Sequence, residues 1–213
     1  MSAVIRRAGA DDVDFIAWTI LMSQRGHRSR GWVDIALGRP EPECLAFIGR
    51  IAAAPALSLW QVSRFWIADV DGRAAAALCA LPAGIARTTI RPVIQETLQA
   101  MGVDAGEQAA IRQRGAYLAR CWPAGADADW LIEHVAADSS HRGQGLVQAL
   151  LAHALDEGRA AGFTRAWIPV YIGNEAAERC YTRAGFVFAE EKRDAACEAL
   201  TGAPGFRRFE RAL

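Results

Sequence analysis

The chain has 213 residues, 52% hydrophobic and 23% charged, with 24 basic side chains balancing 24 acidic ones. A chain of this length buries a core without metals or staples, and zero net charge excludes a global pull toward nucleic acid or an anionic membrane. Cys44, Cys79, Cys121, Cys180 and Cys197 are odd in number, scattered and never spaced as Cys-x-x-Cys, which points away from a disulfide framework or zinc site.

No apolar signal core opens the sequence and no run approaches about 18 apolar residues. The expectation is a cytoplasmic protein with no metal and with neither nucleic-acid nor membrane partners. Oligomeric state, a homodimer included, does not follow from the sequence.

In chain order, residues 3–7 suit a short strand, and the apolar run 13–22 behind Asp11 and Asp12 suits a helix capped by its aspartates. The basic loop 24–31, QRGHRSRG, reads as a solvated loop, with contact to an acidic acceptor or a ribose phosphate as the other reading. A second helix is expected over 42–54, with Pro42 in its first turn. Strands 62–70 and 73–81 flank the turn signal Asp71-Gly72 and should pair antiparallel.

Residues 82–127 read as a helical insertion. Ile90, Val93, Ile94, Thr97, Leu98 and Met101 recur at helical spacing behind Pro92, and Asp104 with Glu107 resembles a capping box opening a helix toward Cys121. A strand follows over 129–137, then a turn at Arg142, a helix to about Ala161 stopped by Gly162, and a strand over 165–171. Asn174 caps a helix with Ala177, Cys180, Tyr181 and Ala184 on one face. Gly185 ends it before a strand over 186–189, and residues 206–213 close the chain as an edge strand.

The turn His141-Arg-Gly-Gln-Gly-Leu-Val147 opens a helix, whose first amides lack partners and carry positive partial charge. Gly143 and Gly145 give an anion close access to those donors, and Arg142 adds a guanidinium suited to bidentate phosphate contact. At about 1.5 to 3 kcal/mol per charge-assisted bond, three or four bonds would anchor a pyrophosphate. Neither a Walker Gly-Lys-Ser/Thr nor a Rossmann Gly-x-Gly-x-x-Gly occurs, and a plain strand-to-helix turn is the competing reading.

Strand, Arg-x-x-Gly turn, helix, strand and then Asn174-x-x-Ala177-x-x-x-Tyr181-x-x-x-Gly185-Phe186 together resemble the GNAT superfamily of acetyl-CoA-dependent N-acetyltransferases over residues 129–189. The resemblance implies an α/β (α+β mixed) fold of one domain, residues 1–213. Its mixed, mostly antiparallel sheet would be flanked by helices, with the helical insertion standing before the central strand. It also implies acetyl-CoA as cosubstrate, the amides of Arg142, Gly143, Gln144, Gly145, Leu146 and Val147 holding the pyrophosphate. Arg142 and Gly145 match the family's turn pattern, and Val147 stands where Gly or Ala is usual.

By the same resemblance an amide near Val135 polarises the acetyl carbonyl, Ala137 binds pantetheine, and the Tyr181 hydroxyl faces the coenzyme sulfur. Tyr181 is also readable as a packed aromatic, and Asn174 either reaches the pantetheine arm or simply caps its helix. Acetyl transfer needs a neutral amine, which favours a base. Glu133 on the 129–137 strand is the candidate, its other reading being a residue that pairs with an arginine or holds water. Strand alternation turns His134 away from Glu133, making it a core or surface residue, and Cys180 reads as core.

The acceptor expected is a small-molecule or peptide primary amine, attacking the thioester directly. A non-catalytic acyl-CoA-binding sensor is the alternative. The insertion, entering at the strand end opposite the phosphate turn, should lie on the acceptor side.

Overall fold

The structure, a computed structural model, describes residues 3–213, the side chain of residue 87 excepted. Seven strands make its sheet: β1 (Ala3–Arg7), β2 (Phe65–Val70), β3 (Arg73–Pro82), β4 (Trp130–Ala137), β5 (Arg165–Tyr171), β6 (Val187–Arg193) and β7 (Gly205–Ala212). Their order is β1-β2-β3-β4-β5-β7-β6, antiparallel everywhere except between β4 and β5. The β2–β3 hairpin turns at Asp71 and Gly72, with φ of 53° and 78°, the doubly positive pair that a tight two-residue turn demands.

The helices are α1 (Val13–Arg25), α2 (Trp32–Leu37), α3 (Glu41–Ala52), α4 (Ala83–Ala100), α5 (Ala105–Gly115), α6 (Leu118–Cys121), α7 (Leu146–Ala160), α8 (Glu175–Arg183) and α9 (Ala195–Thr201). One core layer joins Ile16 and Ile20 of α1, Phe47 of α3 and Val93 and Leu98 of α4 to the sheet face bearing Ala77, Cys79, Leu81 and Leu131. The other joins Leu150, Leu151 and Ala154 of α7 to the face bearing Ala76, Leu78, Ala80, Ile132 and Ile168. The small side chains of β3 let helices approach both faces closely. Each fully buried Leu, Ile or Phe contributes about 1.5 to 3 kcal/mol. The inserted helices are part of this packing, since Ala83, Ala86, Val93, Leu98 and Ile111 all belong to the first layer.

Several expectations are corrected. Residues 205–212 are not an edge strand. β5 has one edge left after meeting β4, and β7, carrying Phe206 and Phe209 inward, fills it; β6 becomes the edge, with Val187 and Phe188 exposed. α4 begins at Ala83 and carries Pro92 in its interior, on an exposed turn where solvent can serve the carbonyl that loses its amide partner. The helix expected to reach Cys121 breaks into α5 and α6, and α2 and α9 arise where no helix was expected. Asp12 does not cap α1: its carboxylate takes Arg6 at 2.7 and 2.8 Å and the Gly9 amide at 2.8 Å.

Candidate active site

Among the described residues the only parallel strand pair is also the shortest. β4 and β5 pair through Trp130 with Ala166 and Leu131 with Trp167, and no further. Asp129, itself buried, clamps that joined end by accepting both Arg165 Nε and Nη2, at 2.9 and 3.0 Å. Beyond it β5 follows β7 along its whole length while β4 follows β3. The two strands therefore diverge, leaving a wedge whose walls include Val135 to Ala137 on one side and Ile168 to Tyr171 on the other.

A bulge in β4 makes the divergence possible. The register against β3 slips between Cys79–Glu133 and Ala77–Ala136, and His134 takes a φ of 51°, a conformation that costs a non-glycine residue about 1 to 2 kcal/mol. His134 consequently does not face away from Glu133. Its ring lies parallel to Phe65 with centroids 6.2 Å apart and edge-on to Trp60 at 6.1 Å, both in the core layer that holds Cys79, the partner of Glu133. Both residues line one cleft of about 1350 Å³.

Their electrostatics follow from that burial. Glu133 is 6% exposed, and burial pushes its carboxyl up to about 8; Oε2 has no hydrogen-bond partner. Burial pushes His134 down to about 3, so its imidazole is neutral. Ser23 Oγ lies 2.8 Å from the Ile20 carbonyl, and with its hydrogen assigned there the 3.0 Å contact to His134 Nδ1 is donated by the imidazole. That leaves Nε2 as an acceptor, buried and without a partner. Trp167 Nε1, also lining the cleft, is a third buried polar atom lacking one. Such groups call for an occupant that bonds to them.

At the other end of the cleft the chain leaves β4 through a 3₁₀ turn that Asp138 caps by accepting the Ser140 amide at 2.9 Å. Gly143 and Gly145 have φ of 77° and 80°, Gly145 standing at the N-cap of the 15-residue α7. A Cβ on either would meet nothing within 4 Å, so the backbone there is open to an approaching group. Arg142 is exposed, lines the cleft and has no ion-pair partner among the described residues. Gln144 is turned back to the Ser140 carbonyl at 3.3 Å. Leu146 is buried, and Val147 packs its side chain against the α7 core layer. A helix N-terminus, two bare glycines and a free guanidinium fit a pyrophosphate.

Between the two ends stand α8 residues. Tyr181 is 7% exposed, packs near Phe186 and lines the cleft; burial holds its phenol well above the ordinary range, so it keeps its proton. Asn174 accepts the Ala177 amide at 3.3 Å, which makes it the cap of α8, while also lining the cleft. Cys180 is half-buried against the α7 layer, held by Gln148 Nε2 bonding to its carbonyl at 2.8 Å.

The remaining wall comes from the insertion and from the loop behind α1. Ile90, Ile94 and Leu98 of α4 and Ile111 of α5 line it beside Trp18, Trp32 and Trp60. The basic loop is solvated at Gly26, His27, Ser29 and Arg30 but tied down at two of its arginines. Arg25 pairs with Asp34 at 2.7 Å and Glu41 at 2.5 Å, and Arg28 donates to the Thr201 carbonyl at 2.9 Å.

The sequence profile described as Acetyltransferase (GNAT) family matches residues 40–186. The chain belongs to that family. This GNAT protein is accordingly an acyltransferase, and the family uses acetyl-CoA as cosubstrate. No curated protein matches it significantly. Among solved structures it resembles an acetyltransferase at 17% identity and TM-score 0.71, covering 98% of each chain. It also resembles an N-acetyltransferase from Staphylococcus aureus Mu50, at 20% identity and TM-score 0.65, covering 98% of this chain and 100% of that one. A Drosophila melanogaster polyamine N-acetyltransferase aligns over 100% of both chains at 13% identity and TM-score 0.58. At such identities these neighbours bear on fold alone: a mostly antiparallel seven-stranded sheet flanked by helices.

Of the residues singled out in the sequence, Glu133, Val135, Ala137, Arg142, Asn174 and Tyr181 all line one cleft. His134 was missed because alternation assumes a regular strand, and nothing local in Glu-His-Val announces a bulge. The insertion's share of the wall was legible as a position, not as particular residues.

Proposed function

We propose that the protein transfers acetyl from acetyl-CoA directly to a primary amine, with the amine held where β4 bends away from β5. The observation that carries this reading is the pair of unpartnered acceptor atoms, Glu133 Oε2 and His134 Nε2, brought to one face by the bulge. An amine supplies the donors such a pair lacks. Acetyl-CoA supplies an activated thioester when bound.

The chain's own residues account for the rest. The amides from Gly143 to Val147 and the Arg142 guanidinium hold the pyrophosphate at the start of α7. Ala137 and the unpaired edge of β4 take the pantetheine arm, with Asn174 opposite. The Val135 amide points its partial charge at the carbonyl oxygen. An ammonium entering beside Glu133 favours the carboxylate over the acid, because the opposite charge offsets desolvation, and the carboxylate then accepts the ammonium proton. His134, a fixed neutral acceptor, orients a second N–H. Tyr181, which keeps its phenolic proton, gives it to the departing sulfur, and the proton that the nitrogen sheds as the amide forms restores the phenol.

Amine acceptors agree with two fold neighbours named as an agmatine N-acetyltransferase and a polyamine N-acetyltransferase. The test is release of coenzyme A thiol from acetyl-CoA against a panel of amines, with coenzyme binding measured separately by calorimetry. Amine-dependent thiol release is expected. Tight coenzyme binding with release no faster in amine than in buffer would overturn the reading.

A further inference from the structure

We infer that the acceptor is an amphipathic amine whose apolar body ends in a carboxylate, and that Arg91 and Arg112 receive that carboxylate at the mouth of the cleft. The inference rests on the proposed amine chemistry at Glu133 and deepens it.

Three observations converge. First, only two carboxylates line the cleft among the described residues, Glu133 and Asp138. Glu133 stands at the chemistry, and Asp138 is beside the phosphate turn, already engaged with Ser140. No wall built by α1, α2, α4 or α5 offers an anion, so a polyamine's second ammonium finds no counter-charge there.

Second, the same walls offer hydrocarbon. Ile90, Ile94, Leu98 and Ile111 line the cleft together with the indoles of Trp18, Trp32 and Trp60, a lining suited to an aliphatic or aromatic body. The backing is fixed, since Trp32 Nε1 donates to the Gly115 carbonyl at 3.0 Å and Arg114 Nε to the Ala36 carbonyl at 2.8 Å, which joins α5 to α2.

Third, the charges that line this wall are all positive, and two of them are uncommitted. Arg25 is neutralised by Asp34 and Glu41, and Arg28 is bonded to a carbonyl. Arg91 of α4 and Arg112 of α5 line the cleft, are exposed, and have no carboxylate partner among the described residues. Arg91 and Arg112, on the two successive helices α4 and α5, offer the guanidinium donors that a carboxylate prefers, and their charge disfavours a dication. The inner end of the cleft thus accepts hydrogen bonds and the outer end donates them, with apolar wall between.

The experiment uses matched acceptors on the full chain: 4-(2-aminoethyl)benzoate, 8-aminooctanoate and 11-aminoundecanoate against octylamine and 2-phenylethylamine, and against 1,8-diaminooctane and spermidine. Thiol release gives kcat/KM, and calorimetry with coenzyme A present gives acceptor affinity without turnover. Carboxylate-bearing amines should exceed their neutral counterparts by at least about tenfold in both readouts and diamines by more, an advantage erased at high salt as for any partly exposed pairing. The double variant Arg91→Glu/Arg112→Glu should invert the order toward diamines, and the milder Arg91→Gln/Arg112→Gln should level it, with coenzyme affinity unchanged in both.

Diamines preferred by the wild type, or a carboxylate preference surviving both double variants, would overturn this inference while leaving amine acetylation standing. Carboxylate-dependent binding without any amine-dependent thiol release would do the reverse, supporting the receptor and sinking the enzymatic reading.

Discussion

Replacing Glu133 by Gln probes the group on which the proposed chemistry turns. Burial raises this carboxyl from its ordinary 4.5 to about 8. Between those two values the folded chain holds a proton that the unfolded chain has lost, so stability falls as pH rises across the interval. The loss is absent below about 4.5 and complete above about 8. At about 1.4 kcal/mol per pH unit it reaches about 4 to 5 kcal/mol, an upper bound because water entering the cleft relaxes the penalty. The amide has no proton to lose. Glu133→Gln should therefore match the wild type near pH 5 and exceed it by about 2 to 4 kcal/mol near pH 9, read from urea denaturation of the ligand-free protein at a series of pH values with m unchanged. Activity should move the other way, kcat/KM falling about 10²-fold or more, with loss of the limb that rises toward pH 8 in the wild type. A stability difference independent of pH would refute the argument, because it would mean that the carboxyl ionises at its ordinary value and is not desolvated.

His134 should show the opposite slope. Its imidazole, held at about 3, stays neutral while the unfolded chain takes a proton below about 6.5, so wild-type stability falls as pH drops through that range. His134→Gln should flatten this acid limb and lower turnover, and an unchanged acid limb would argue against a buried neutral ring. Tyr181→Phe keeps the packing against Phe186 and removes the proton donor. Turnover should drop about 10² in pre-steady-state assays with coenzyme affinity unaltered, and a wild-type rate would remove the phenol from the mechanism. Gly145→Asp has room but must adopt a φ of 80°, at about 1 to 2 kcal/mol, and sets a carboxylate before the start of α7. The fold should survive while calorimetry shows coenzyme affinity reduced at least tenfold; unchanged affinity would move the pyrophosphate elsewhere.

Most elements were legible because their signals are local. The Asp71-Gly72 hairpin, the Asp104 cap on the Glu107 amide and the Asn174 cap on Ala177 each involve residues within a few positions of one another. What misled was also local. Pro92 breaks the local signal inside α4, where an exposed turn tolerates proline while Val93 and Leu98 are buried. Short α2 and α9 gave too little periodicity to read, and are held by Trp32 bonding across to Gly115 and by the Cys197 and Thr201 packing under the C-terminal strands.

The sequence by itself determined the strand–turn–helix from β4 into α7, and with it the resemblance to the GNAT family. Glycines that must hold positive φ, an arginine beside them and an apolar helix behind them are demands met within a dozen residues. Only the tertiary structure decided what the cleft does with them. The bulge at His134 arises from register between β3 and β4, and the pKa of Glu133 from how much protein surrounds it. The composition of the cleft wall depends on bringing α5 against α2 and α4 against α3 and the sheet. Each of these depends on contacts between residues far apart in the chain, and desolvation in particular is a property of the assembled surroundings that no residue carries alone.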